Sequence, residues 1–454
     1  MSPPFLKRVI FYFFAISFLV LTPQNTSLAA RATEFESGLD QTFSAGYSQQ
    51  SFADSFHSTA FEEPAAEEDK AGWDHWTFYK GFNFSTTYDS NIFLAHADEV
   101  EDGILTYTPT IGISRGGRYD YFQTFYDLSY VEYIDNGKLS RFNHSLTTRM
   151  GYRFPKLKVD IYNNLKPDTA YSTGERTELR SAETSRVITY SDHLLARADY
   201  ELTEKTRLSY THRYILYYFP SSSNSISTNN FSSQTHIFSP RISYRISQKT
   251  DIYAQYDLET ADFFEGGLYG SRSHVASAGI SGKLAPKTSV NFGLGYRWRD
   301  YGNRTAAQNE EDFQWKAAIS QRITNKISAT LWAARDLQED LANISSTLSA
   351  NRLVHFYGLN MTWQATRHID LQTGASVGYD EKDGLVAMTD PDNSRLTSTR
   401  QLEDNFYEGN ISLNWNPRSF VAVLVGYKYF KKESSFKNFE YDDHKAVASI
   451  RLKF

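Results

Sequence analysis

Cysteine is absent from the 454 residues. Disulfides, thiolate metal sites, cysteine nucleophiles and a lipoprotein anchor are excluded together. Beyond the first residues no apolar run approaches the ~20 residues that a spanning helix needs, and mean hydropathy is -0.51. Helical membrane spans are therefore excluded after the leader. Low average hydropathy does not exclude a membrane β-barrel, because only alternate residues of its strands meet lipid. Positive charge is not in excess either: the formal net charge is -6 and the pI near 6.0, which leaves no basic footprint for nucleic acid. His-Glu-x-x-His and Gly-x-Ser-x-Gly patterns are missing, and with them the metalloprotease and serine-hydrolase signatures. The 11 histidines are scattered. In a strand, Asp192-His193 and Asp443-His444 would each split between opposite faces, and Glu310-Glu311 reads as loop. No enzymatic activity, cofactor or metal is expected.

What is present begins with a leader. Lys7 and Arg8 precede an apolar run from Val9 to Leu21, and Ser27-Leu28-Ala29-Ala30 follows a polar stretch. A positive flank, a short apolar core and small residues are the marks of a secretory signal peptide, here residues 1–29. The alternative, an uncleaved anchor helix, is disfavoured because the run is too short to span. Residues 30–75 are polar and acidic, with the cluster Phe61-Glu62-Glu63-Pro64-Ala65-Ala66-Glu67-Glu68-Asp69-Lys70. Too little apolar surface is available there to offset the entropy of ordering, so a flexible periplasmic segment is expected. Its functional reading is a tether for a periplasmic export partner, or a plug.

From Trp76 to Phe454 the texture becomes alternating and aromatic, with 31 Tyr and 32 Phe in the whole chain. In the first strand, Gly81 to Ile92, Phe82, Phe84, Thr86 and Tyr88 would face outward and Asn83, Ser85, Thr87 and Asp89 inward. Gly103 to Ser114 and Tyr119 to Ile134 flank an Arg115-Gly116-Gly117-Arg118 turn, a hairpin signal because tight turns need positive φ. Short turns then recur around Pro155-Lys156, Glu204-Lys205, Gln248-Lys249, Pro286-Lys287, Asn325-Lys326, Arg367-His368 and Pro417-Arg418. Their spacing of roughly 40 to 50 residues is two membrane strands and one long loop. The long polar connections are expected at Lys166 to Ser185, Pro220 to Ser232, Phe264 to Arg272, Tyr301 to Glu311, Leu341 to Asn351 and Glu381 to Glu403. A β-propeller or a solenoid could repeat at a similar length, but its repeats would not be pairs of strands long enough to cross a tilted bilayer. The pattern predicts an all-β fold: a transmembrane antiparallel up-and-down β-barrel of about 18 strands, with 16 to 20 the bracket, short turns periplasmic and both termini at one rim.

The last strand, His444 to Phe454, carries the clearest alternation. Ala446, Ala448, Ile450, Leu452 and Phe454 share one face; Lys445, Val447, Ser449, Arg451 and Lys453 share the other. A terminal strand of this kind ending on Phe resembles the C-terminal assembly signature of bacterial outer-membrane barrels. The resemblance implies outer-membrane lipid and the barrel assembly machinery as partners, and the bacterial outer membrane as the location.

Extending the alternation along the chain gives an inward set. Its basic members are Arg149, Arg153, Arg207, Arg213, Arg241, Arg245, Lys283, Arg297, Arg299, Lys316, Arg322, Lys428, Arg451 and Lys453. The acidic members, Asp160, Asp199, Glu201, Asp251, Asp257 and Glu259, are fewer. A positive wall raises the local concentration of anions, which points to a water-filled pore favouring small anionic solutes. The alternative is that these charges pair across strands and only solvate the lumen. Arg207 and Arg213 facing Arg241 and Arg245 form either a basic ladder or a group neutralised by Asp199 and Glu201.

Tyr88-Asp89-Ser90-Asn91-Ile92-Phe93, then Tyr107-Thr108-Pro109-Thr110-Ile111-Gly112-Ile113 and Arg115-Gly116-Gly117-Arg118, resemble the opening of the β-barrel porin families of Gram-negative bacteria. The resemblance covers Gly81 to about Arg118, and it implies an outer-membrane barrel without catalytic residues. Some similar proteins are encoded with exopolysaccharide export machinery, so an export outlet working with a periplasmic partner stands beside the diffusion pore. A plugged structural or adhesin barrel is the third reading.

Overall fold

The computed structural model describes residues 76–94, 96–97, 99–117, 119–170, 187–218, 232–264, 270–301, 310–339, 351–390, 393–435 and 440–454. The expected signal peptide and acidic segment lie outside them, as do the tips of most of the long connections. The first nine strands are β1 (Thr77–Asp89), β2 (Asp102–Gly116), β3 (Asp120–Tyr133), β4 (Arg141–Arg153), β5 (Leu157–Ala170), β6 (Val187–Glu201), β7 (Thr206–Tyr218), β8 (Ser233–Ser247) and β9 (Thr250–Phe263). The other nine are β10 (Ser271–Ala285), β11 (Thr288–Asp300), β12 (Glu310–Arg322), β13 (Ile327–Glu339), β14 (Asn351–Gln364), β15 (Ile369–Asp390), β16 (Asn393–Arg418), β17 (Val421–Ser434) and β18 (Tyr441–Lys453). Each pairs antiparallel with its neighbours in sequence, and β1 pairs with β18, so the 18-stranded sheet has no free edge.

Closure is imposed by the solvent. A sheet in hydrocarbon finds no water for its unpaired N–H and C=O groups, so its first and last strands must meet. Here they meet from Gly81↔Lys453 to Asp89↔Lys445, and the Phe454 amide donates to the Lys80 carbonyl at 2.8 Å. An even strand number brings both ends of the barrel to one rim, termed the terminal rim. The short turns expected from the sequence all lie there, at 154–156, 202–205, 248–249, 286–287, 323–326, 365–368 and 419–420. One expectation is overturned at the opposite, loop rim. The stretch Glu381 to Glu403 is not an irregular loop: β15 runs on to Asp390 and β16 begins at Asn393, with pairs from Leu385↔Gln401 to Thr389↔Thr397 beyond a register shift. The two strands thus form a hairpin that projects past the wall. Glu310 and Glu311, expected in a loop, open β12.

The register fixes the faces. Leu331, Leu359, Val377, Ile411 and Val425 are exposed and belong to the outer set. Exposed aromatics band that surface near both ends: Tyr152, Tyr200, Tyr244, Trp363 and Trp415 toward the terminal rim, and Tyr190, Tyr218, Trp298, Phe313 and Tyr407 toward the loop rim. Two aromatic girdles around an apolar band are what lipid and its interfaces select. In β18, Ala446 lies beside Tyr427 and Ala448 beside Val425, so Ala446, Ala448, Ile450 and Leu452 face out and Arg451 and Lys453 face in.

Two ladders are short. Between β12 and β13 pairing runs only from Trp315↔Arg335 to Arg322↔Ser328, and between β4 and β5 only from Leu146↔Leu165 to Arg153↔Lys158. Where the β12–β13 ladder stops, the Arg335 guanidinium takes over. It donates to the Phe313 carbonyl and, at 2.8 and 2.9 Å, to the two Asp312 carboxylate oxygens.

A charge on the outer band should be costly and one on the inner wall cheap. Leu359→Arg is expected to lower the free energy of folding into bilayers by about 2–4 kcal/mol, whereas Thr330→Arg, on the inner set, should stay within about 1 kcal/mol of wild type. Denaturant titration of folding into vesicles measures both.

Candidate pore lining and the inward loop

The same register places every charged residue of the expected inward set on the face opposite the apolar band. Arg149 and Arg153 share that face with Asp160, Arg207 and Arg213 with Glu201, and Arg241 and Arg245 with Asp251. Lys283, Arg297 and Arg299 lie on it in β10 and β11, and Lys316 and Arg322 in β12. Lys428 stands opposite Lys445, two positions above Val447 and on the same side as Arg451 and Lys453.

More acids share this face than the sequence reading assigned. Asp102, Asp127, Asp312, Asp336, Asp380, Asp404, Glu408 and Asp443 alternate onto it as well, beside Asp89, which was expected inward in β1, and with Arg141, Lys158, Arg197, Lys432 and Lys445. Most stand near the loop rim, in strand ends adjoining polar connections, where sequence alone does not separate strand from loop. The wall is closer to neutral than expected.

Many of these charges pair. Arg297 reaches Glu259 at 2.9 Å and Asp336 at 3.5 Å. Lys428 meets Glu408 at 3.2 Å, and Lys432 meets Asp404 at 2.9 Å. The expected ladder takes neither of its two alternative forms: Arg207 and Arg245 converge on Asp251, at 2.5 and 3.8 Å, while Asp199 is taken by Arg197 at 2.8 Å. Arg241 instead lies over the Tyr253 ring, 3.7 Å from its centroid. That ring is flat against the wall because Gly279 and Gly293 leave room: a Cβ at either would come within 2.6 Å of the Tyr253 hydroxyl. Trp332 lies over Gly358 in the same way, 2.4 Å from where a Cβ would stand. Large rings thus line the wall without projecting from it.

The connection between β1 and β2 folds inward. Asn91 and Ile92 are fully buried and Leu94 nearly so. Ile92 packs with Ile104 and Tyr133, and Leu94 with Phe406, Phe430 and Tyr441, all from inner positions of the wall. Leu94 has φ 52°, the left-handed bend that turns its side chain into that cluster. The segment is pinned to β18. The Ser90 amide donates to the His444 carbonyl at 3.1 Å, and the His444 amide donates back to Ser90 Oγ at 2.8 Å. Asn91 donates its Nδ2 to the Asp442 carbonyl at 3.1 Å, and its amide to Asp89 Oδ1 at 3.1 Å. Lys445 joins Asp89 at 3.2 Å and Asp443 at 3.1 Å. The Tyr-Asp-Ser-Asn-Ile stretch singled out in the sequence is therefore a latch at the loop end of the closing seam. Its inward fold had no signal beyond an apolar Ile92, Phe93 and Leu94 in an otherwise polar connection. A cavity of about 530 Å³ opens beside it, lined by His96, Glu99, Lys432, Glu440 and Asp442 among others. Burial, and then the Asp442 carboxylate, hold the Glu99 carboxyl above its ordinary range.

Among the described residues no group of His, Asp and Glu gathers as metal ligands do. Asp443 and His444 split between inner and outer faces, and the His444 ring shares a hydrogen bond of 2.6 Å with the Tyr427 hydroxyl.

No protein-family model and no curated protein matches the chain. Solved structures similar to it include Pseudomonas aeruginosa OccK3 (OpdO), at 11% identity and TM-score 0.45 over 83% of this chain and 96% of that one. The outer membrane protein opdK of the same organism has 9% identity and TM-score 0.45, over 83% and 99%. The siderophore receptor PirA of Pseudomonas aeruginosa has 10% identity and TM-score 0.44, over 85% and 81%. The membrane-spanning character of this chain rests on its own wall, apolar outside and charged inside.

Lys445 is the element of the latch whose loss is most informative. Lys445→Met leaves Asp89 and Asp443 buried without their cation and is expected to destabilise the barrel by about 3–5 kcal/mol. Limited proteolysis between β1 and β2 should also become faster than in wild type.

Proposed function

We propose that the barrel spans the bacterial outer membrane, short turns toward the periplasm, and encloses a water-filled path for small solutes with a weak preference for anions. The observation that carries this reading is the wall: ionic and hydroxylic side chains face inward on strand after strand, while the outer positions are apolar. An 18-stranded cylinder is too wide for its own side chains to fill. Pairing of the mid-wall charges keeps the preference weak, and the exposed cations Arg153, Lys283, Arg322 and Lys453 at the terminal rim supply its sign.

The second reading, an outlet for an exported polysaccharide working with a periplasmic partner, is favoured by the inward loop, which narrows the mouth at the loop rim. The two readings, and the plugged structural or adhesin barrel, differ in resting conductance. Purified protein in planar bilayers under a salt gradient is expected to conduct steadily, with a reversal potential of anion-selective sign. Replacing Arg153, Lys283, Arg322 and Lys453 with Gln should bring that potential toward zero. Cation selectivity in the wild type would remove the anion preference, and a silent channel would favour the outlet or the plug over the open pore.

A further inference from the structure

Cations concentrate at the terminal rim. Lys156, Lys205, Lys249, Lys287 and Lys326 each stand exposed in a short turn, and Arg367 and Arg418 do so in the two turns next in sequence. Acids at this rim are fewer: Glu201 and Glu204 are exposed, Asp120 and Asp370 are half-buried, Asp160 is paired with Lys158, and Asp251 is already engaged by Arg207 and Arg245. The loop rim is the reverse, with Glu99, Glu101, Glu403, Glu433, Glu440 and Asp442. The barrel is thus charged along its axis, positive where the chain begins and ends.

The chain arrives at that positive rim carrying the opposite charge. Residues 31–75 hold ten carboxylates against Arg31 and Lys70, and the densest cluster, Glu62 to Asp69, lies shortly before Thr77. Trp76, where the strand begins, packs on Phe122 at 6.0 Å between ring centroids, so the segment leaves from the rim itself. At ~3.3 Å per extended residue, the eight to fifteen residues from the cluster to β1 reach about 26–50 Å, enough to bring it over neighbouring turns. Single exposed ion pairs contribute little. A tethered polyanion over a ring of cations differs on two counts, since its charges act together and the tether fixes its effective concentration near the millimolar range.

We propose that the cationic terminal rim is the docking surface for the chain's own acidic segment, residues 54–74, which lies across the short turns as an intramolecular polyanion. The proposal does not depend on whether the lumen conducts.

Carbodiimide coupling of the intact protein in vesicles, followed by peptide mass spectrometry, tests it directly, because this reagent joins a carboxylate to an amine only when the two are already in contact. Amide links are expected from Glu62, Glu63, Glu67 and Glu68 to Lys156, Lys205, Lys249 and Lys326. Their yield should fall about fivefold or more between about 0.05 M and 0.5 M salt, as screening shortens the reach of each charge. Reversing the four turn lysines to Glu should abolish these links, and adding Glu62→Lys, Glu63→Lys, Glu67→Lys and Glu68→Lys to that variant should restore coupling with the polarity exchanged. Links confined to Lys70 and Lys80, yields indifferent to salt, links that join two chains, or no recovery in the charge-exchanged variant would each overturn the proposal.

Discussion

The structure depends on one constraint: hydrocarbon offers the backbone no hydrogen-bonding partner. A sheet there must close, and closure sets most of the remaining architecture. It brings the first strand to the last, puts both ends of the barrel at one rim and leaves the long connections at the other. The latch belongs to the same logic. Asp89 and Lys445 end the β1–β18 ladder, and the residues just beyond, Ser90 to Leu94, continue the attachment by folding over the top of the seam into the lumen. The motif that opens the barrel in sequence thus completes its closure in space.

Inside, the design problem is the reverse of a protein core. The wall must hold charges apart from lipid. Ion pairs run along the wall, as in Arg297 with Glu259 and Lys432 with Asp404, rather than across it. Rings such as Tyr253 and Trp332 lie in the space that glycines on neighbouring strands leave free. Both devices keep large side chains close to the sheet.

Much of this was legible in the sequence, because a strand with lipid on one side and water on the other has a period of two that nothing else in the chain imitates. Strand number, closure, the turns and the direction of Arg451, Leu452 and Lys453 are all consequences of that period. Legibility ended where the pattern weakens. The acids near the loop rim, Asp102 and Asp443 among them, merge with polar connections. The extended hairpin beyond Glu381 was hidden by its charged, uneven composition. Asp251 as the shared partner of Arg207 and Arg245 could not be foreseen, since side-chain reach between strands is a matter of rotamers and not of alternation. The Arg335 bridge was likewise invisible, because nothing in β12 or β13 announces that their ladder ends early.

That early ending has a mechanical meaning. A barrel pulled apart from one end resists through the bonds between adjacent strands, and it yields first where fewest must break together. Between β12 and β13 the positions beyond Trp315↔Arg335 are held by one guanidinium instead of a row of amides. The β4–β5 ladder is as short, so the cylinder has two seams where traction meets the least resistance, and at one of them the β13–β14 hairpin, firmly paired along its own length, comes away from β12 as a unit.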